Sequence, residues 1–410
     1  MIYRDLSNKM KISQLGFGCM RLPRDQEITN KLLRIAVEAG INYFDTAWVY
    51  ADNEVMVGEA LKPIRDKVMI ATKLPLIKTK KKADFDFFLN DSLKRLQTDY
   101  IDNFLLHMVT TYENFIKFCD MGVLEWAERK KKEGVIHKFG FSFHGSVGAF
   151  KKVIDAYNWD FCQIQYNYLD VEYQAGTDGL RYAHSKGIPV IIMEPLRGGR
   201  LINIPKSAEK AFRSTNTSRT NAEWGLRWLW NQPEVTCVLS GMSTMEQLAE
   251  NIRIASVANV GEMNEKELKT IKEVREIINK KMVVRCTGCE YCMPCPQNVN
   301  IPLAFSFLNG VRLASLIQPL WMNYALHMGK YADKPQFASQ CIACGKCMRH
   351  CPQNINIPQE LRRVVAKYER IPPQFSIFMY NMGFLIIHDW MMCKIPDFIK
   401  GRNRKGKHRR

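Results

Sequence analysis

Cys341-Ile342-Ala343-Cys344-Gly345-Lys346-Cys347-Met348-Arg349-His350-Cys351-Pro352 divides the chain into two kinds of chemistry. Its spacing, C-x2-C-x2-C-x3-C-P, suits three thiolates around one iron–sulfide cube, while the fourth cysteine, before proline, reaches a neighbouring cube. An earlier run, Cys286, Cys289, Cys292 and Cys295-Pro296, is one residue shorter, because only Met293-Pro294 separates its last two cysteines. Both runs end in Cys-Pro-Gln-Asn. Val299-Asn300-Ile301-Pro302 follows the first and Ile355-Asn356-Ile357-Pro358 the second, so the stretch is an internal repeat. Together the runs hold eight of the thirteen cysteines.

Disulfides and zinc are the competing uses. Disulfides need an oxidising compartment, and residues 1–10 are polar and charged with no apolar leader core, so a cytoplasmic location is expected. Structural zinc favours paired C-x2-C knuckles, which three evenly stepped cysteines and a Cys-Pro fit poorly. Two [4Fe-4S] clusters are the expectation. The stretch resembles the bacterial two-cluster ferredoxins over about residues 283–358, with an insert between the runs. That resemblance implies cross-ligation: Cys286, Cys289 and Cys292 with Cys351, and Cys341, Cys344 and Cys347 with Cys295. The shortened first run is where the chain departs from the pattern.

A chain of 410 residues, 46% hydrophobic, is long enough for one large core and a smaller module. Cys19, Cys119, Cys162, Cys237 and Cys393 are scattered, as free thiols are in a reducing compartment. The formal net charge is +18. Two clusters bound through thiolates lower it by about four units, which still leaves a surface that attracts anions. The expected macromolecular partner is an acidic electron carrier of the ferredoxin or flavodoxin kind, and no nucleic acid is expected.

Between residues 15 and 254 apolar runs alternate with amphipathic segments, as in a parallel sheet covered by helices. The strand-like runs are 15–20, 43–47, 68–72, 101–107, 138–142, 161–166, 189–194 and 235–240. Eight such units predict a closed (β/α)8 TIM barrel over 1–262. An open doubly wound sheet would want a Gly-rich phosphate loop, and Gly16-Phe17-Gly18 is not one. The expected continuation is a helical linker over 263–282, a ferredoxin-like α+β or helical iron–sulfur module over 283–365, a helical segment over 366–399 and a basic disordered tail over 400–410.

Barrel chemistry sits at the carboxyl ends of strands. There the second run ends in Phe44-Asp45-Thr46-Ala47-Trp48-Val49-Tyr50, the third in Ala71-Thr72-Lys73 and the fourth in Leu105-Leu106-His107. A phenol is a poor acid–base catalyst at neutrality, but an adjacent ammonium stabilises phenolate. Lys73 is the candidate cation, Asp45 its counter-ion, Tyr50 the proton donor and His107 the group that places a substrate oxygen. Taken singly, each reads as readily as a helix cap or a core residue; their convergence at strand ends favours catalysis.

These residues, with Leu15-Gly16-Phe17-Gly18, Gly140-Phe141-Ser142 and Pro195-Leu196, resemble the aldo-keto reductases. The resemblance covers the whole barrel. It implies NADPH or NADH bound without a Rossmann fold, and interconversion of a small carbonyl and alcohol by the tetrad Asp45, Tyr50, Lys73 and His107. It also implies that Gly18, Met20, Ser142, Gln163, Met193 and Leu196 lie along the nicotinamide half, with Ser243, Gln247 and Asn251 at the adenosine end. Met193 stands where familiar members stack an aromatic ring. Gly241-Met242 and Gln247 stand where NADPH-preferring members carry cations, so at most a modest NADPH preference is expected.

Trp48, Met20, Met108 and Phe143 read either as an apolar substrate pocket or as packing. The basic run at 400–410 reads as a solvated end or as a weak peripheral membrane contact. No flavin motif is read from the chain. Three functions follow: carbonyl chemistry wired through the clusters to a carrier, a reductase whose clusters are structural or redox-sensing, and a nucleotide-sensing module with little turnover.

Overall fold

The computed structural model describes residues 1–7, 10–50, 52–216, 218–310, 320–330, 332 and 334–381. The chain forms two compact units, Met1–Lys281 and Met282–Arg410. The basic run at 400–410 and the part of the expected helical segment beyond residue 381 lie outside the described residues.

The first unit opens with a hairpin, β1 (Tyr3–Ser7) and β2 (Met10–Ser13), which the apolar pattern did not announce. Eight parallel strands follow: β3 (Leu15–Gly18), β4 (Tyr43–Asp45), β5 (Met69–Pro75), β6 (Ile101–Val109), β7 (Ile136–Phe143), β8 (Phe161–Gln165), β9 (Val190–Met193) and β10 (Val235–Ser240). They close in that order, with β10 beside β3. This is the (β/α)8 barrel that the spacing predicts.

Alternation along the strands fills the barrel. Tyr43, Met69, Ala71, Leu105, Phe161, Ile191, Cys237 and Leu239 form one buried cluster, joined from below by Leu6 and Ile12 of the hairpin. The hairpin therefore plugs the amino ends and leaves the carboxyl ends as the mouth. Two motif glycines make room for this filling. A Cβ on Gly16 would lie 2.8 Å from Leu239, and one on Gly140 would lie 2.6 Å from the Phe161 carbonyl oxygen.

Helix Glu265–Lys281 belongs to the first unit and buries Ile271, Val274 and Ile278. Arg219 pairs with its Glu267 at 2.7 Å, and Arg275 donates to the Tyr168 carbonyl at 2.6 Å.

Of the α+β and helical alternatives for the second unit, the described residues form the helical one. Helices Ile301–Leu308 and Ile357–Tyr368 are the two copies of the repeat. Asn300 and Asn356 cap them, accepting from Leu303 N–H and Gln359 N–H, and each carries proline in its first turn. The repeat extends to the backbone. Gly288 and Ala343, Glu290 and Gly345, and Asn298 and Asn354 all take positive φ at equivalent steps around the cysteines. Between the copies sits a core of Val299, Phe305, Phe307, Leu361, Val364 and Tyr368, and Cys292, Cys295, Cys341, Cys347 and Cys351 pack against it.

Candidate active site and cysteine cavities

Above the apolar filling, the same alternation brings polar groups to the mouth. Asp45, Lys73 and His107 are almost wholly buried there, at 4%, 1% and 5% exposure. Lys73 Nζ donates to Asp45 Oδ1 at 2.7 Å and to the Thr46 carbonyl at 2.6 Å. It also lies 5.4 Å from the centre of the Tyr50 ring. The Tyr50 and His107 rings meet edge to face at 5.9 Å. The four predicted tetrad residues thus come together.

Tyr50 lies five residues beyond Asp45, where β4 ends, so the loop after β4 must be held in place. It is anchored twice. Trp48 donates through Nε1 to Asp91 at 2.7 Å and lies under the Arg95 guanidinium at 4.8 Å. At the start of helix Asn53–Leu61, buried Glu54 accepts from Thr72 at 2.6 Å and from Ser92 at 2.7 Å. Trp48 is therefore an anchor. Phe143 packs outward on Phe150 at 5.1 Å, so it is packing and not pocket lining.

Burial raises the carboxyl of Asp45, and the Lys73 ammonium partly offsets this. Burial drives His107 well below the ordinary histidine range, and Lys73 and His144 push it the same way. The imidazole is consequently neutral near pH 7 and keeps one N–H to donate.

The residues expected along a nicotinamide separate into two groups. Ser142, Gln163 and Met193 sit beside the tetrad: Ser142 Oγ accepts from Met108 N–H at 2.9 Å, and Gln163 Nε2 lies 3.8 Å from Met193 Sδ. Gln163 Oε1 is buried without a partner, as suits a residue awaiting an amide donor. Gly18 contributes bare backbone, Leu196 is buried, and Met20 stands at the rim, 36% exposed. The second group follows β10. Ser243 N–H donates to Gln247 Oε1 at 2.8 Å, and Ser243 Oγ donates to the Arg21 carbonyl at 2.8 Å. Asn251 donates to Ser240 Oγ at 3.0 Å. Residues 240–251 include Glu246 and Glu250 and no lysine or arginine.

Sequence reasoning missed a polar network above β8 and β9. Arg197 and Asp170, 4% and 1% exposed, pair at 2.9 Å. Gln165 donates to Asp170 at 3.3 Å, and Gln174 donates to Gln165 at 3.1 Å. Gln174, Glu194 and Arg197 all hold positive φ, a backbone state that clusters at functional sites. The available signal was His144, two residues beyond Ser142 and in phase with it.

In the second unit the cysteines line two cavities. Cys286, Cys289, Cys292 and Cys351 surround one, with Pro302, Phe305 and Ile355. Cys295, Cys341, Cys344 and Cys347 surround the other, with Ile342, Pro358 and Leu361. Each cavity draws its fourth cysteine from the opposite run, and Ile301 borders both. Among the described residues no group of three or more His, Cys, Asp or Glu is placed to hold a single metal ion. A four-iron core sets its ligands around a cube, farther apart than the ligands of one ion, so all-thiolate cavities of this kind fit it.

Comparison with known proteins agrees with this geometry. Residues 14–276 match the family model for the aldo/keto reductase family, and residues 285–356 match that for a 4Fe-4S dicluster domain. The chain is 29% identical over 284 residues to an uncharacterized oxidoreductase, YqkF, of Bacillus subtilis, covering 61% of this chain and 89% of that protein. It is 28% identical to L-galactose dehydrogenase of Arabidopsis thaliana, covering 59% and 84%. Among solved structures, the holo form of aldo-keto reductase AKR11C1 from Bacillus halodurans aligns with a TM-score of 0.58 at 29% identity, covering 67% of this chain and 96% of that one.

Proposed function

Since the chain belongs to the aldo/keto reductase family and carries a 4Fe-4S dicluster domain over residues 285–356, we propose that it interconverts a small carbonyl and its alcohol with a nicotinamide nucleotide, and that two [4Fe-4S] clusters exchange electrons with this chemistry. The observation that carries the reading is the buried Lys73 ammonium, tied to Asp45 at 2.7 Å and lying beside the Tyr50 ring.

A bound nicotinamide supplies or takes up the hydride. Tyr50 delivers the proton to the substrate oxygen. Lys73 makes that donation cheaper by stabilising the phenolate left behind. Asp45 compensates the buried ammonium and fixes its position. Neutral His107 donates its N–H to the same oxygen and orients it toward Tyr50. Ser142 and Gln163 would hold the carboxamide, with the unpartnered Gln163 Oε1 accepting its N–H. With Glu246 and Glu250 near the adenosine end and no cation among residues 240–251, a 2'-phosphate gains little, so NADPH is preferred over NADH by about tenfold at most. A titration showing strong NADPH selectivity overturns that.

Cys286, Cys289, Cys292 and Cys351 would hold one cluster, and Cys295, Cys341, Cys344 and Cys347 the other. Bound clusters supply one-electron transfer, toward an acidic carrier in this reading. A second reading is favoured by the packing of five of these cysteines on the core of their unit: the clusters hold the unit together and the barrel works alone. Anaerobic turnover with NADH or NADPH separates the two. Bleaching of cluster absorbance when nucleotide and substrate are both present supports coupling; turnover unchanged by Cys344→Ala and Cys347→Ala supports the structural role. Lys73→Met tests the barrel chemistry and should lower kcat by about a hundredfold or more.

A further inference from the structure

We propose that the cavity of Cys295, Cys341, Cys344 and Cys347 is the external port of the cluster unit, and that a small acidic electron-carrier protein docks on the cationic, partly apolar face around Cys344. The inference rests on the electron-exchange reading and names the cavity and the surface it uses.

The two copies of the repeat share a backbone and differ in what they show to water. Ala343 and Gly345 take positive φ on either side of Cys344, as Gly288 and Glu290 do beside Cys289. The side chains at equivalent positions are reversed in character. Polar Thr287 is 2% exposed, whereas apolar Ile342 is 64% exposed, and each lines the cavity of its own run. Met348, 42% exposed, and exposed Ala343 extend the apolar patch. The cysteines follow suit: Cys286 is buried and no cysteine of the first cavity is exposed, but Cys344 of the second is. Ile342 is thus both cavity wall and outer surface. Electron transfer falls steeply with distance, so this thin wall is where an outside carrier can reach.

Charge selects the partner. Where the first run has Glu290 and Tyr291, the second has Gly345 and Lys346. Residues 341–370 carry six cations, Lys346, Arg349, Arg362, Arg363, Lys367 and Arg370, against two acids. Both acids are engaged within the unit: Glu360 pairs with Arg363 at 2.8 Å, and Glu369 accepts from Ala338 N–H at 3.0 Å. Lys346 and Arg349 are exposed in the short helix Lys346–His350, beside the cavity loop. Helix Ile357–Tyr368 borders the same cavity through Pro358 and Leu361 and adds exposed Arg362, four residues past Pro358.

A small apolar centre within a charged rim is the form of a transient protein contact, and electron-transfer encounters lie at the small end of such contacts. A second copy of this chain would set cations against cations. A nucleic acid would answer the cations and leave the apolar centre unmatched. An acidic carrier meets both. Each encounter passes one electron between cluster and carrier, oxidising one and reducing the other, with no atom exchanged.

The test is a binding measurement by calorimetry on the anaerobically reconstituted full chain, with all proteins oxidised and no nucleotide, so no turnover enters it. The probes are an acidic flavodoxin and an acidic ferredoxin, with basic cytochrome c as control; phosphatidylglycerol vesicles are tested by co-sedimentation. At least one acidic carrier should bind, with Kd rising about tenfold or more from low to physiological salt, and cytochrome c should not. Lys346→Glu with Arg349→Glu should raise that Kd by about tenfold or more, and Ile342→Asn by about fivefold. Lys269→Glu with Lys272→Glu, exposed on helix Glu265–Lys281, changes the net charge equally and should move Kd by less than about twofold. Lys346 and Arg349 do not line the cavity, so that pair decides even if Ile342→Asn loses iron. Binding of neither carrier, a Lys346 and Arg349 pair that binds as wild type, equal losses in the two charge reversals, or binding to vesicles in place of the carriers overturns the docking surface. Absence of cluster bleaching by nucleotide and substrate would instead remove the coupling reading, whatever the binding shows.

Discussion

Asp45 and Lys73 place a charge pair where the barrel excludes water, and their substitutions are not equivalent. Asp45→Asn leaves the ammonium buried without compensation and should destabilise the first unit by about 3–5 kcal/mol. Lys73→Met leaves a carboxyl that burial already favours in its protonated form, so its cost should be smaller; urea unfolding of the two variants checks the order. His144 carries a pH signature. Its folded pKa falls from 6.5 to about 4, chiefly through burial, so the unfolded chain binds the proton more readily. The stabilisation from burying neutral His144 is complete above pH 6.5 and is lost as pH falls toward 4. Between pH 7 and 5 this amounts to about 2 kcal/mol. His144→Gln should therefore lose less stability than wild type over that interval; equal losses would contradict the burial account. Lys73 and His107, which act on the same ring, remain in both proteins. Asp45, Tyr50, Lys73 and His107 were legible because each ends a run of apolar residues. Arg197 and Asp170 were not, since a buried ion pair assembled from two loops leaves no periodicity in either.

At the scale of elements, the strands were legible because residues buried on both faces read as continuous apolar runs. The hairpin was not, because among its described residues just Leu6 and Ile12, with half-buried Met10, join the barrel filling. Helix Asn53–Leu61 was missed for a related reason. Gly58 lies in its middle, where glycine costs about 1 kcal/mol relative to alanine. Tertiary packing explains it: a Cβ at Gly58 would lie 2.6 Å from the Arg95 carbonyl oxygen at the end of helix Ala83–Leu96. Backbone cannot yield as a side chain tip can, so the clash outweighs the gain in propensity. Gly58→Ala should destabilise by about 2–3 kcal/mol, and it should disturb activity as well, because the same helix carries Glu54 and follows Tyr50. A neutral or stabilised Gly58→Ala in thermal unfolding would mean that the two helices are less tightly joined than the structure has them.

For the whole molecule, the repeat explains why cysteines far apart in sequence share a cavity. Each run places its first three cysteines around its own cavity and sends the fourth to the other. Anaerobically reconstituted protein should hold about eight irons per chain. Replacing Cys286, Cys289 and Cys292 together should leave about four, whose spectrum Cys295→Ala then perturbs; indifference to Cys295 would contradict the crossed arrangement. Hydride chemistry moves electrons in pairs and the clusters move them singly, so coupling the two units requires a carrier able to do both. Barrel chemistry precedes any such coupling and is the claim on which the rest depends. It is tested most directly by one anaerobic turnover: protein loaded with reduced nicotinamide is mixed with a carbonyl, and nucleotide oxidation is followed in wild type and Tyr50→Phe. Proton donation by Tyr50 predicts a rate lower by about a thousandfold in the variant, with nucleotide affinity titrated separately. A variant that oxidises its nucleotide within about threefold of the wild-type rate would contradict the assignment of Tyr50 as the proton donor.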